Sequence, residues 1–137
     1  MTARRERSIA YDFAVLRAVP HPYIGAFVPV GVVLHARTAE FLGMRALSEA
    51  AELRERVPDV DIELLARYLR AARAICDGDA DAGPVALTSP SERFHWLTAP
   101  RSDVIQSSPV HEGLCDDPGA ELDALFRSYV EARPRPR

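Results

Sequence analysis

The side chains able to do chemistry crowd into one stretch, FHWLTAPRSDVIQSSPVHEGLCDDP, running from Phe94 to Pro118. Arg101 follows the turn-forming Pro100 and offers a planar fork of donors. Ser102 adds a hydroxyl and a backbone N–H beside it. Together they suit a carboxylate or a phosphate. The plainer alternative is a staple, with Arg101 paired to Asp103, Asp116 or Asp117. Further along, Gln106 and Ser108 share a face if the strand through them continues, and Pro109 then breaks the ladder. His111 has an imidazole that titrates near neutrality, so it can move protons or bind a metal. Its plainer role is to order the loop by hydrogen bonding.

Two stronger chemistries can be weighed on the same residues. Cys115 as a nucleophile with His111 as its base gains from the helix dipole just beyond it. It loses because nothing identifiable orients the histidine and no glycine-rich oxyanion turn precedes the cysteine. A metal site from His111, Glu112, Cys115 or Asp116, with His95, matches no standard zinc spacing, so neither metal nor cofactor is expected. His21 and His35 lie in or near turns and receive no chemical role. GPVALTSPS is too poor in glycine for a phosphate loop, and the chain contains no lysine. That removes Walker-type and Schiff-base chemistry.

The whole-chain totals narrow the classes further. With 137 residues, 47% hydrophobic and 27% charged, the chain suits one globular domain, expected over 8–131, with 1–7 and 132–137 as disordered ends. The net charge of −3 argues against nucleic acid as the main partner. Two cysteines, Cys76 and Cys115, are too few for a disulfide framework and fit a reducing compartment. Asp12 and Arg17 interrupt the first apolar run, so it fails as a signal segment, and no stretch reaches membrane-spanning length. A cytoplasmic protein is expected.

The elements that must carry the polar stretch are read from periodicity and punctuation. SIAYDFAVLRAV alternates as a strand, with Tyr11, Phe13 and Val15 on one face. IGAFVPVGVVLHA is a second strand in which Pro29 and Gly31 require an edge position or a bulge. Arg37-Thr38 turns the chain into a third strand, AEFLGMRAL. Helices follow: one capped by Ser48, and a longer one capped by Asp59 or Asp61, with Leu65, Tyr68, Leu69, Ala72, Ile75 and Cys76 in its apolar stripe and Gly78 at its end. RFHWLTA and SDVIQSS read as strands, which puts Trp96 in the core with Phe94 and turns His95 to the other side. A last helix opens at Asp116 or Asp117 with Pro118 in its first turn, and Leu122, Leu125, Phe126 and Tyr129 form its stripe. The expectation is an α+β fold: an antiparallel sheet of about five strands with about three helices packed mainly on one face.

YDFAVLRAVP, GAFVPVGVVL and above all ERFHWLTAPRSDVIQSSPVHEGLCDDP resemble a bacterial family of unknown function, the domain family numbered thirty thirty-seven. The resemblance runs over nearly the whole chain. It implies a short bacterial protein often encoded beside a HipA-like kinase, hence a partner or regulator of such a kinase. The matching positions are Arg101, Ser102, Gln106, Ser108, Pro109, His111, Gly113, Leu114, Asp117 and Pro118. Ala26 and Pro29 depart from the polar residues usual in the family's second strand. The function expected is therefore a binding module for a protein or an anion, using Arg101, Ser102, Gln106, Ser108, His111 and Asp117. The alternative is a small hydrolase or phosphate-directed nuclease with His111 as acid/base.

Overall fold

The computed structural model describes residues 9–19, 27–57, 60–100 and 104–132. Five strands form one antiparallel sheet: β1 (Ile9–Ala18), β2 (Val28–Ala36), β3 (Phe41–Ala46), β4 (Ile105–Ser107) and β5 (His111–Cys115). The helices are α1 (Ala50–Arg56), α2 (Ile62–Cys76), α3 (Pro90–Leu97) and α4 (Pro118–Phe126). The α+β class is as expected. The segments read as disordered ends fall almost entirely outside the described residues.

β1 is the strand on which the sheet is built. One edge pairs with β2 along nearly its whole length. The other edge is used twice, by β4 at Leu16–Ala18 and by β5 at Ile9–Phe13. Between these two contacts the ladder breaks at Pro109, which has no N–H to give. Ser108 bridges the gap. Its backbone N–H donates to the Val15 carbonyl at 2.8 Å, and its hydroxyl oxygen accepts from the Val15 N–H at 2.9 Å. The join also slips by one residue. Leu16 faces Ser107 and Phe13 faces His111, so three steps along β1 oppose four along its neighbour. Side chains alternate along a strand, so this slip reverses which residues of β5 point up and which point down.

A second irregularity lies on the other side of β1. Leu16 faces Gly31 but Arg17 faces Pro29, so Val30 is the extra residue of a bulge in β2. Pro29 is tolerated there although β2 is an inner strand, because the β3 pairing has already ended at Gly31. Gly31 itself has no room for a side chain: a Cβ would lie 2.9 Å from that of Ala46.

Both faces of the sheet are covered. On one face Tyr11 donates to Glu121 of α4 at 2.6 Å, and Arg45 binds Asp123 at 3.1 Å and lies over the Phe126 ring. On the other face Phe94 of α3 meets His35, and Arg73 of α2 donates to the Met44 carbonyl at 2.6 Å. Three of the four helices are thus divided between the two faces, α2 and α3 against α4, instead of packing mainly on one face as expected. This explains why β2 is buried on alternate and intervening residues alike. α1 fills the side of the assembly with Leu53 and Val57, and Arg56 donates to the Val130 carbonyl at 2.8 Å.

Four local readings are corrected by the structure. RFHWLTA is not a strand. Its first five residues, Arg93–Leu97, form the last part of α3, whose start carries a full capping box between Ser89 and Glu92 with Pro90 in the first turn. Trp96, expected in the core, is 37% exposed, because on a helix only Phe94 and Leu97 share the buried side. The fifth strand is instead HEGLC, which the sequence hides behind a glycine and two polar residues. Ser48 does not cap α1; Glu49 holds that position without a side-chain bond. Finally, Tyr129 is exposed and Val130 takes the core position, because the chain widens into a π turn over Arg127–Glu131 after α4. Asp61, Gly78 and Asp117 take the cap and stop positions read for them.

The Ser108 bridge gives a direct test. Ser108→Ala leaves the buried Val15 N–H without an acceptor and should cost about 1–3 kcal/mol in urea unfolding. A loss below about 0.5 kcal/mol would mean that water replaces the hydroxyl.

Candidate functional site

The residues singled out from sequence are laid out along the second edge of β1. Gln106 stands opposite Arg17, Ser108 bridges to Val15, and His111 stands opposite Phe13. Asp117 lies beyond the far end of β5, where its carboxylate caps α4 by accepting from the Ala120 N–H at 3.2 Å. Arg101 and Ser102 lie outside the described residues. The His111 ring packs 5.3 Å from that of Phe13, on the face covered by α4, and Phe13 in turn meets Tyr129 at 5.7 Å. No side-chain hydrogen bond orients the His111 imidazole among the described residues. Cys115 sits at the other end of the same strand, about 13 Å away at the strand rise. Its thiol is buried, and that burial, with Glu121 nearby, pushes its pKa up, away from a reactive thiolate. Cys76 is likewise buried and pushed up to about 12, and the two cysteines are free. Among the described residues no three metal-ligating side chains converge.

Convergence occurs on the opposite face, around a residue that the sequence reading passed over. Glu112, Asp12 and His35 stand in one row across β5, β1 and β2, each directly opposite the next. The one-residue slip after β4 is what turns Glu112, rather than His111, toward this row. Arg37 stands just beyond the end of β2, in a short 3₁₀ turn. α3 runs over the row, and Ser91, His95 and Thr98 recur on its facing side at helical spacing. The result is a cleft made of two adjoining cavities, of ≈ 510 and ≈ 540 Å³, that share Asp12, His35 and Arg37 in their walls.

His35 is the floor of that cleft. It is 7% exposed, the one strongly polar side chain in the buried set among the described residues. Its ring lies 5.4 Å from that of Phe94. Burial lowers its pKa from the ordinary value; Asp12 pulls the other way and Arg37 adds to the lowering. The site therefore favours the neutral imidazole over the charged one. A sequence signal existed: His35 is the polar member of an otherwise apolar β2, Asp12 and Arg17 are the charged members of a mainly apolar β1, and polar groups at core positions are the informative exceptions. What could not be read was that they are cross-strand partners.

The lowered pKa fixes the sign of a pH dependence. Above the ordinary value of 6.5 His35 is neutral in both folded and unfolded chains and costs nothing. As pH falls below it, the unfolded chain takes up a proton that the folded one refuses, so stability declines until the folded value is reached. Tyr11, Asp12, Glu112, Arg37 and His95 are the other titratable or charged groups lining the cleft around it. Unfolding free energy measured from about pH 8 to about pH 5 should fall more steeply in the native chain than in His35→Gln. Identical slopes would show that His35 titrates normally.

No curated protein and no solved structure matches the chain. The model of a family described as a protein of unknown function, DUF3037, matches residues 13–130, from the second half of β1 through the last turn after α4. That span takes in β2 to β5 and all four helices, while the first part of β1, Asp12 included, lies before it; the chain belongs to this family.

Proposed function

We propose that this protein is a binding module of the bacterial cytoplasm that takes up a protein partner along the β4–β5 edge. The HipA-like kinase implied by the family resemblance is the candidate partner. The observation that carries this reading is the state of β5. Among the described residues it pairs only with β1, and its other side is open. An open strand edge is a template for a strand from another chain. Val110 and Leu114, 45% and 57% exposed, flank it with apolar surface. Gln106, Ser108 and His111 follow the same edge in order, which suits recognition of an extended segment. Arg101 and Ser102, between α3 and β4 in the chain, supply a grip on an anionic group of the partner.

Calorimetric titration against the HipA-like kinase of the same genome tests this. Saturable binding is expected, and Arg101→Ala and Leu114→Lys should each weaken it about tenfold or more. Both changes should leave the melting temperature within about 2 °C. Amide exchange at Glu112–Leu114 should slow on complex formation, because strand addition covers backbone groups that side-chain docking leaves open. Absence of binding, or binding indifferent to both substitutions, would sink the reading. A large loss of melting temperature in Arg101→Ala would make that residue a staple instead.

A further inference from the structure

The cleft under α3 does not depend on the partner reading, and its charges are unmatched in a particular way. Asp12 and Glu112 stand directly opposite each other on neighbouring strands, an arrangement that like charges disfavour. Neither carboxylate makes an ion pair or a side-chain hydrogen bond among the described residues. Arg37 is equally unpaired among them. Between the two signs of charge lies His35, more than nine-tenths buried, with no hydrogen-bond partner among the described residues. A buried polar group is ordinarily bonded, and one left open toward a cavity marks a place for a ligand. Its ring opens into both cavities of the cleft.

We propose that this cleft binds a small zwitterion, a free α-amino acid or a close analogue carrying an ammonium and a carboxylate group. The ammonium lies between Asp12 and Glu112, where it relieves their repulsion. The carboxylate lies on the Arg37 guanidinium, which matches its planar geometry. Neutral His35 bonds the ligand from below, and His95 and Ser91 of α3 close over it. A plain anion is disfavoured by the two carboxylates, and a plain cation leaves Arg37 unanswered. Each cavity falls within the size range usual for small-ligand sites, and both are mixed in polarity.

The test uses the full chain and the proteinogenic L-amino acids, each at millimolar concentration, by thermal shift and then by calorimetry. At least one should raise the melting temperature, as a ligand bound only by the folded state must. For that amino acid, the N-acetyl derivative, which lacks the ammonium, and the methyl ester, which lacks the carboxylate, should each bind at least about tenfold more weakly. Asp12→Asn and Arg37→Gln should weaken it by a similar factor. Both residues are at least partly solvent-exposed, so these variants should fold even where a change at buried His35 does not. The His35 ring resonances should move on titration with the amino acid. The proposal is overturned if no amino acid stabilises the chain. It is equally overturned if the N-acetyl derivative or the ester binds as well as the parent, or if neither substitution matters.

Discussion

Every other part of the structure depends on both edges of β1 being satisfied at once. β2, a nine-residue strand with a single bulge, takes one edge. The other edge is shared by two short pieces, β4 and β5, neither of which is long enough to be stable alone. They are held because the Ser108 hydroxyl and backbone fill the position where Pro109 leaves the ladder empty. α3 and α4 are connected through this pair of strands, so the packing of both layers is transmitted through the same few bonds. A strand with apolar residues on both faces accepts helices on both, and the alternating rows of β1 show that arrangement directly.

Within that frame, the polar residues of the inner strands are the places where local rules are broken. A buried imidazole and two facing carboxylates cost stability compared with apolar residues at the same positions. Sequences that fold well tend to break such rules at functional sites. By contrast, the other conspicuous polar contacts are structural. The Tyr11 hydroxyl is tied to Glu121, and burial with that carboxylate raises its pKa well above the usual range. Its ring lies so close over Gly113 that a Cβ there would come within 2.6 Å. Arg93 reaches back from α3 to the carbonyls of Thr88 and Cys76 and ties the helix to the end of α2.

Much of the fold was legible because its signals are local. The stripe of α2, its Asp61 cap and the Gly78 stop, the Pro29–Gly31 irregularity and the Asp117 cap each depend on a few adjacent residues. The misread elements are those decided at a distance. Phe94, His95 and Trp96 have the composition of a strand, yet the Ser89–Glu92 capping box starts a helix that Phe94 and Leu97 then anchor. HEGLC has the composition of a loop, and it becomes a strand only because β1 offers it an edge. The site divided in the same way. His111 was visible as a chemical group, but the cross-strand meeting of Asp12 with His35 needs the register of two strands that no adjacent residues fix.

The link between β4 and β5 holds an odd number of residues, and that parity has a consequence for how the family's chemistry can vary. Loss or gain of a single codon in 108–110 would turn β5 over about its own axis while leaving its length and pairing partner unchanged. His111 or Gly113 would then take the place of Glu112 beside Asp12, and Glu112 would move beneath α4. The electrostatic character of the cleft is thus written in the spacing of a short connection as much as in the residues that line it.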